Sequence, residues 1–314
     1  MSKLWWWGAM FACQAQVKPE LVLDGIGFAE SPASVSDGSI IFVDLYAGKV
    51  LAHEPNGTRV RDLAYVGGSP NAAIPTRNGG LLITQNGGKV GPWQSPDQRE
   101  ASIQYVRAGG QVQYLATEVD GIGLRAPNDL VFGPDNLLYF TDSGGAYAPG
   151  SQPDIGRLFV LAPDGTGSLL AELGAVFPNG IAFDVEGRLV WSESHTRAIR
   201  RMDLDNRSIE TLCVLDNPDA VPDGIAIDEA GEIHVAATKS GGIYVVAPDG
   251  SSHRFVPVGL VPTNCAFIGS WLYVTDGGHL GLSTDPDLHS GALWRLPAHH
   301  PGLEVHDGGD PWAR

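Results

Sequence analysis

The sequence predicts an all-β fold, a six-bladed β-propeller with four antiparallel strands per blade, and three observations carry that expectation. One short phrase recurs six times, as AESPA at Glu30, SPNAA at Asn71, APNDL at Asn128, FPNGI at Asn179, VPDGI at Asp223 and VPTNC at Asn264. Each copy has a proline within two residues of the polar position and a hydrophobic run behind it. Eight positions after the first five polar residues stands a turn former: Gly38, Gly79, Asn136, Gly187 and Gly231. The copies start 41 to 57 residues apart. That is the length of four short strands and their turns, the period of a propeller blade.

Taken in order, residues 1–18 form a separate N-terminal segment and residues 19–314 a single propeller domain. The segment MSKLWWWGAMFACQAQ reads either as a very short signal sequence or as a stretch whose Trp5, Trp6 and Trp7 pack on the propeller or at a subunit contact. PELVLD at 19–24 reads as a strand, as does LEVHD at 303–307, and either one could close the ring. Within the blades, the second strands are SIIFVD, GLLITQ, LLYFTD, RLVWSE, EIHVAA and WLYVTD. The third strands run through GKVLAHEPNG, ASIQYVRAGG, GRLFVLAPDG, RAIRRMDLDN, GGIYVVAPDG and GALWRLPAHH. Fourth strands such as DLAYVG and IETLCVL are weaker. Long insertions between second and third strands fall in blade two (86–100), blade three (143–155) and blade six (277–290), all on the face where the repeated phrase begins. Long loops in compact domains are usually functional.

Composition narrows the function. A formal net charge of −16 leaves no basic stripe for nucleic acid. No run approaches the ~20 apolar residues of a spanning helix. Cys13, Cys213 and Cys265 have no metal-type spacing, and the last two read as core residues. A monomer or small homo-oligomer in the cytoplasm is expected, or an exported protein if the N-terminal segment is a signal.

Because the first strand of a blade borders the channel, the phrase aims one polar side chain per blade at the axis: Glu30, Asn71, Asn128, Asn179, Asp223 and Asn264. A single Asx residue at a strand start can equally cap its own turn. Six in register, one of them a glutamate, point instead to a metal site in the central channel. Carboxylate and amide oxygens suit hard divalent cations, Ca²⁺ first, with Mg²⁺, Mn²⁺ or Zn²⁺ as alternatives. A second layer ends the second strands at Asp44, Gln85, Asp142, Glu193, Ala237 and Asp276, placed to orient the amides or to take protons.

These motifs resemble, over residues 20–300, the SMP-30/gluconolactonase/LRE family of calcium-dependent six-bladed propellers. AESPA is similar to its EGPAW segment, RAPNDLVFGPDNLLYFTD to PNDV…DGxLYFTD, FPNGIAF to PNGLAF, VPDGIAIDEAGEIHVA to PDGLAxDxxGNLWVA, and VPTNCAF…LYVT to PTNCAF…LYVT. The resemblance implies Glu30, Asn179 and Asp223 as metal ligands, with Asn128 as a fourth ligand or a substrate contact. It implies Arg125 as an arginine that binds substrate oxygens. Ser31 stands where the family has Gly and Ser34 where it has Trp, departures that bear on the substrate pocket.

The activity implied is metal-dependent hydrolysis of an ester bond in a small molecule, a lactone above all. The ion polarises the carbonyl and Asp223 activates water. His279, on the blade-six loop, is an alternative base read from this sequence itself. Trp93 in the blade-two loop either lines the pocket or anchors the loop. The alternatives are phosphotriesterase-like hydrolysis on the same site, a strictosidine synthase-like lyase or condensing activity, and a non-enzymatic binding propeller.

Overall fold

The structure is a computed structural model that describes residues 18–54, 57, 59–145, 154–279 and 290–312. The N-terminal segment with its three tryptophans, Cys13, and the centres of the blade-three and blade-six loops lie outside the described residues. The six repeats become six four-stranded antiparallel sheets. Their first strands are Ala29–Ser34, Pro70–Pro75, Pro127–Phe132, Pro178–Phe183, Pro222–Ile227 and Pro262–Ile268. Each packs against the first strand of the next blade, and the sixth packs against the first, which closes a ring around an axial channel.

The turn formers do what their chemistry allows. Gly38, Gly79, Gly187 and Gly231 adopt φ of 81, 80, 76 and 80°, and Asn136 sits at 63°. This is the left-handed region that glycine enters freely and asparagine tolerates. The second strands, such as Ile40–Asp44 and Leu138–Asp142, are buried at every position. Alternate side chains feed the two inter-blade cores on either side of the sheet. Ile41 and Val43 enter the core shared with blade two, whereas Ile40 and Phe42 enter the one shared with blade six. A strand buried on both faces has no hydrophobic–polar alternation, which is why these segments read as continuous apolar runs.

Ring closure falls to the N-terminal strand. Glu20–Ile26 pairs antiparallel with Gly291–Pro297 and becomes the outer strand of blade six. The stretch LEVHD at 303–307 is not a strand. It belongs to a tail that crosses the end of the channel opposite the loops. The Leu303 amide donates to the Ile227 carbonyl in blade five. Further on, Arg77 of blade two clasps Asp307 (2.9 and 3.1 Å) and Asp310 (3.1 Å). Trp312 then donates through Nε1 to the Asn136 carbonyl (2.7 Å) and packs on Phe132. The one helix among the described residues is the 3₁₀ turn Asp310–Trp312, and no helix there is long and apolar enough to cross a membrane.

Candidate metal centre and substrate cavity

The first strands begin where the long loops gather, and there they enclose a cavity at the mouth of the channel. Glu30, Asn71, Asn128, Asn179 and Asp223 line it, together with Asn86, Lys89, Lys239 and His279. Above the polar floor stands an apolar collar of Phe28, Leu45, Ala126, Phe177, Val221 and Val261, which shields the floor from bulk water. Phe28, Ala126, Phe177 and Val221 each stand two residues before a floor residue, so in blades one, three, four and five one short segment supplies both a collar and a floor group. The collar residue Phe177 sits at φ 55°, an unusual conformation for a bulky side chain and one associated with functional sites.

Strand register corrects one member of the predicted ring. Pro70, Pro127, Pro178, Pro222 and Pro262 all pair with the last residue of their second strands, so the residue after each proline is the equivalent position. In blade six that residue is Thr263, whose hydroxyl is spent on the Ala29 carbonyl at 2.7 Å. Asn264 falls one step deeper and does not line the cavity. Its amide reaches Asp129 at 3.4 Å. The glycines of FPNGI and VPDGI follow from the same crowding. A Cβ on Gly224 would overlap the Asn264 side chain, and one on Gly180 would meet the Asp223 carbonyl at 2.6 Å.

Glu30 and Asp223 are 3% exposed and half-buried respectively, and among the described residues neither makes an ion pair with a basic group. Burial raises the carboxyl of Glu30 well above its ordinary range, and the negative charges of Asp223 and Asp129 raise it further. Asp223 is raised in the same way, by burial and then by Asp129. The neighbouring amides are oriented. Asn179 donates through Nδ2 to Ser194 Oγ (3.2 Å) and shares a hydrogen bond with Asp223, which leaves its Oδ1 lone pairs to face a cation. Asn71 donates to Asn128 Oδ1 at 3.1 Å and accepts from Asn86 at 3.4 Å. Two uncompensated carboxylates beside oriented amide oxygens fit a hard divalent cation.

Asp129 was not singled out by the sequence reading. It is buried beneath the floor, accepts from the Leu130 and Ile181 amides at 2.9 and 3.3 Å, and burial pushes its pKa up to about 6. The signal was present: the third copy alone places an acid directly after its phrase residue, where the first two copies have Ser31 and Ala72 and the next two Gly180 and Gly224.

The second layer turns out to be structural. Asp44 accepts from the Gly27, Phe28 and Ala47 amides, Asp142 from Arg125, Ala126 and Gly144, and Asp276 from Leu260, Val261 and Gly278. These carboxylates tie down the loop that enters each blade and so fix the floor residue that follows. Arg125 contributes its backbone amide to this network. Its side chain extends to Asp154 at 3.6 Å, is 61% exposed and is not among the residues lining the cavity. His279 does line it, at the rim. Trp93 is a loop anchor: it is buried and packs at a tilt on Tyr46 (4.8 Å), which packs on Phe28 (5.6 Å).

A second cluster, Asp228, Glu232 and His234, lies outside the channel. Asp228 accepts from the Ala230 and Glu232 amides and faces His234 Nε2 at 3.2 Å, while both oxygens of Glu232 are held by Arg254 at 2.5 and 2.8 Å. Blade four builds the same turn with Asp184 and Arg188. The cluster is therefore a turn cap with its donor atoms already used.

Residues 28–277 match the sequence profile of the SMP-30/Gluconolactonase/LRE-like region. A gluconolactonase of Zymomonas mobilis is 27% identical over 274 residues, covering 79% of this chain and 75% of that protein. The pentonolactonase XacC of Haloferax volcanii is 28% identical over 281 residues, 82% of this chain and 86% of its own. The solved structure of a gluconolactonase from Xanthomonas campestris superposes with a TM-score of 0.71 over 91% of this chain and 92% of the other, at 23% identity.

Proposed function

The chain belongs to the SMP-30/gluconolactonase/LRE-like family, and from that membership we propose that it is a metal-dependent lactonase working in the channel-mouth cavity. The observation that carries the proposal is the convergence of Glu30, Asn128, Asn179 and Asp223 on one floor, two carboxylates and two amides with no basic partner among the described residues. The gluconolactonase and pentonolactonase among its relatives support the lactone as substrate class.

Glu30, Asn179 and Asp223 hold the ion, with Asn128 as a fourth ligand or a contact to the substrate beside it. Bound there, a divalent cation, Ca²⁺ by the hardness of the donor set, supplies Lewis-acid polarisation of the lactone carbonyl. Asp223, at the edge of the ion, takes the proton of the attacking water. Asn71 and Asn86 keep Asn128 from rotating, and the collar of Phe28, Phe177, Val221 and Val261 keeps bulk water from the reacting ester. His279, which lines the cavity, is the alternative base for the same water.

The test is hydrolysis of a panel of γ- and δ-lactones before and after chelation, with Ca²⁺, Mg²⁺, Mn²⁺ and Zn²⁺ returned singly. Turnover lost on chelation and restored by at least one ion is expected. Asp223→Ala is expected to remove tight metal binding and lower kcat/KM by about 10²–10⁴-fold. Undiminished turnover after complete metal removal would sink the metal-dependent reading.

A further inference from the structure

The floor of the cavity is acidic and its rim is basic. Among the described residues, the charged side chains that line it are Glu30 and Asp223 below and Lys89 and Lys239 above, with His279 beside them. The whole chain has five lysines (Lys3, Lys18, Lys49, Lys89 and Lys239), so two of them meet at one small opening. In a protein with 36 acidic residues against 20 Lys and Arg, basic side chains readily find carboxylates. Lys49 pairs with Asp62 at 2.6 Å, Arg254 with Glu232 and Arg295 with Glu20. Lys89 and Lys239 make no ion pair among the described residues.

Their positions are built. Lys89 lies on a short hairpin, Lys89–Val90 with Trp93–Gln94, that Trp93 bolts to Tyr46. Cross-loop amide bonds from Ser95 to Gly88 and from Arg99 to Gly87 hold its base. Lys239 lies in the tight turn after the second strand of blade five, where Thr238 donates to Val221 and Ser240 to Ala237. Blades two and five stand opposite each other in a ring of six, so the two ammonium groups come from opposite sides of the mouth. With a divalent ion on the floor, Glu30 and Asp223 are balanced, and the lysines remain as positive charge with no acidic partner among the described residues, in a molecule of net charge −16. Such a local reversal of sign attracts and orients anions.

Resting on the lactonase reading, we propose that the preferred substrates are lactones that carry an anionic group, a carboxylate or a phosphate, which Lys89 and Lys239 engage while the ring ester lies over the floor.

The experiment uses the metal-loaded full chain and three lactones: a neutral aldonolactone, an aldarolactone with a free carboxylate, and a phosphorylated aldonolactone. The readout is the ratio of kcat/KM for each anionic lactone over the neutral one, at about 10 mM and about 300 mM salt, which spans strong and weak screening. The proposal expects a ratio of about tenfold or more at low salt, falling towards one at high salt. It expects the low-salt ratio to collapse in Lys89→Gln/Lys239→Gln and to be retained in Lys89→Arg/Lys239→Arg. Whichever anionic lactone shows the larger ratio identifies the group recognised. A wild-type ratio at or below one for both anionic lactones, or a ratio that the glutamine pair leaves unchanged, overturns it. If no lactone of any charge is turned over, the lactonase reading fails instead. The anion preference is then decided by binding of an open-chain aldarate against an aldonate. Tighter aldarate binding that the glutamine pair abolishes supports it, and equal binding overturns it.

Discussion

At the scale of single residues, the site depends on charge placed where water is scarce. Asp129 touches neither the cavity nor its rim, yet its charge raises the proton affinity of both Glu30 and Asp223. The same field that repels a carboxylate's charge attracts a cation. Asp129→Asn keeps the shape and removes the charge, so metal affinity is expected to fall by roughly 10-fold, the usual size of an outer-sphere effect on a metal site. Calorimetric titration of the metal-free protein with Ca²⁺ checks this; an unchanged affinity would mean that Asp129 only braces the strands through the Leu130 and Ile181 amides. Much of this site was legible in the sequence, because Glu30, Asn128, Asn179 and Asp223 sit at fixed offsets from prolines and turn glycines. Asn264 was displaced by one position because blade six has Thr263 between its proline and its amide. In a strand one residue of shift changes which way a side chain points, and pattern matching alone does not see it. Asp129 shows in the sequence only as an extra acid in the third copy; what gives it weight, the contacts to Ile181 in blade four and Asn264 in blade six, is not encoded by any spacing within one repeat. Ser31 adopts φ 51° and donates its amide to Glu30 at 2.8 Å, a left-handed backbone that the equivalent Gly180 and Gly224 do not share.

At the scale of elements, blades divide their labour along the strands. In blades one, two, three and six the last residue of the second strand, Asp44, Gln85, Asp142 or Asp276, secures the incoming loop, and in the first three of these the first strand presents its floor residue on that fixed base. Asp44, Asp142 and Asp276 read from sequence as candidate proton carriers, but each is occupied by backbone amides. The pattern of acids was visible while their partners, loop N–H groups some sixteen residues earlier, were not. The blade-two insertion is the element that adds function without disturbing this frame. Trp93 is 3% exposed and is the hairpin's chief apolar anchor. Burying a tryptophan in a well-packed site is worth about 3–5 kcal/mol against alanine. Because the hairpin can detach without unfolding a blade, Trp93→Ala is expected to lose much less than that in global stability. Hydrogen exchange at residues 88–95 should rise sharply, and KM should rise more than kcat falls, since Lys89 and Asn86 lose their fixed places. A drop in global stability near the full core value, with unchanged exchange in the hairpin, would make Trp93 a core residue of the blade instead.

At the scale of the whole molecule, a ring of first strands brings acids from blades one, three and five to one axis, and the fold bears the electrostatic cost. In the unfolded chain Glu30 and Asp223 ionise near pH 4. In the fold both are raised, and Asp129 is raised to about 6. A carboxyl whose folded pKa exceeds its unfolded one contributes stability below the unfolded pKa, and that contribution is lost as pH rises through the folded value. The metal-free protein is therefore expected to lose stability as pH rises above about 4, through Asp129 by the time pH passes about 6 and through Glu30 and Asp223 as pH climbs through their raised values. A bound cation reverses the sign, since it favours the ionised forms and is displaced by protons. The gap in Tm between metal-loaded and chelated protein should be widest at pH 7–8 and close on acidification towards pH 5. At an ion concentration of 100 times its Kd the stabilisation is about 2.7 kcal/mol, several degrees for a chain of this size. Differential scanning calorimetry at four pH values, with and without chelator, measures it. A gap that is constant with pH would show that the ion is held elsewhere, and no gap at any pH would mean that the three acids meet on the axis for a reason other than a cation.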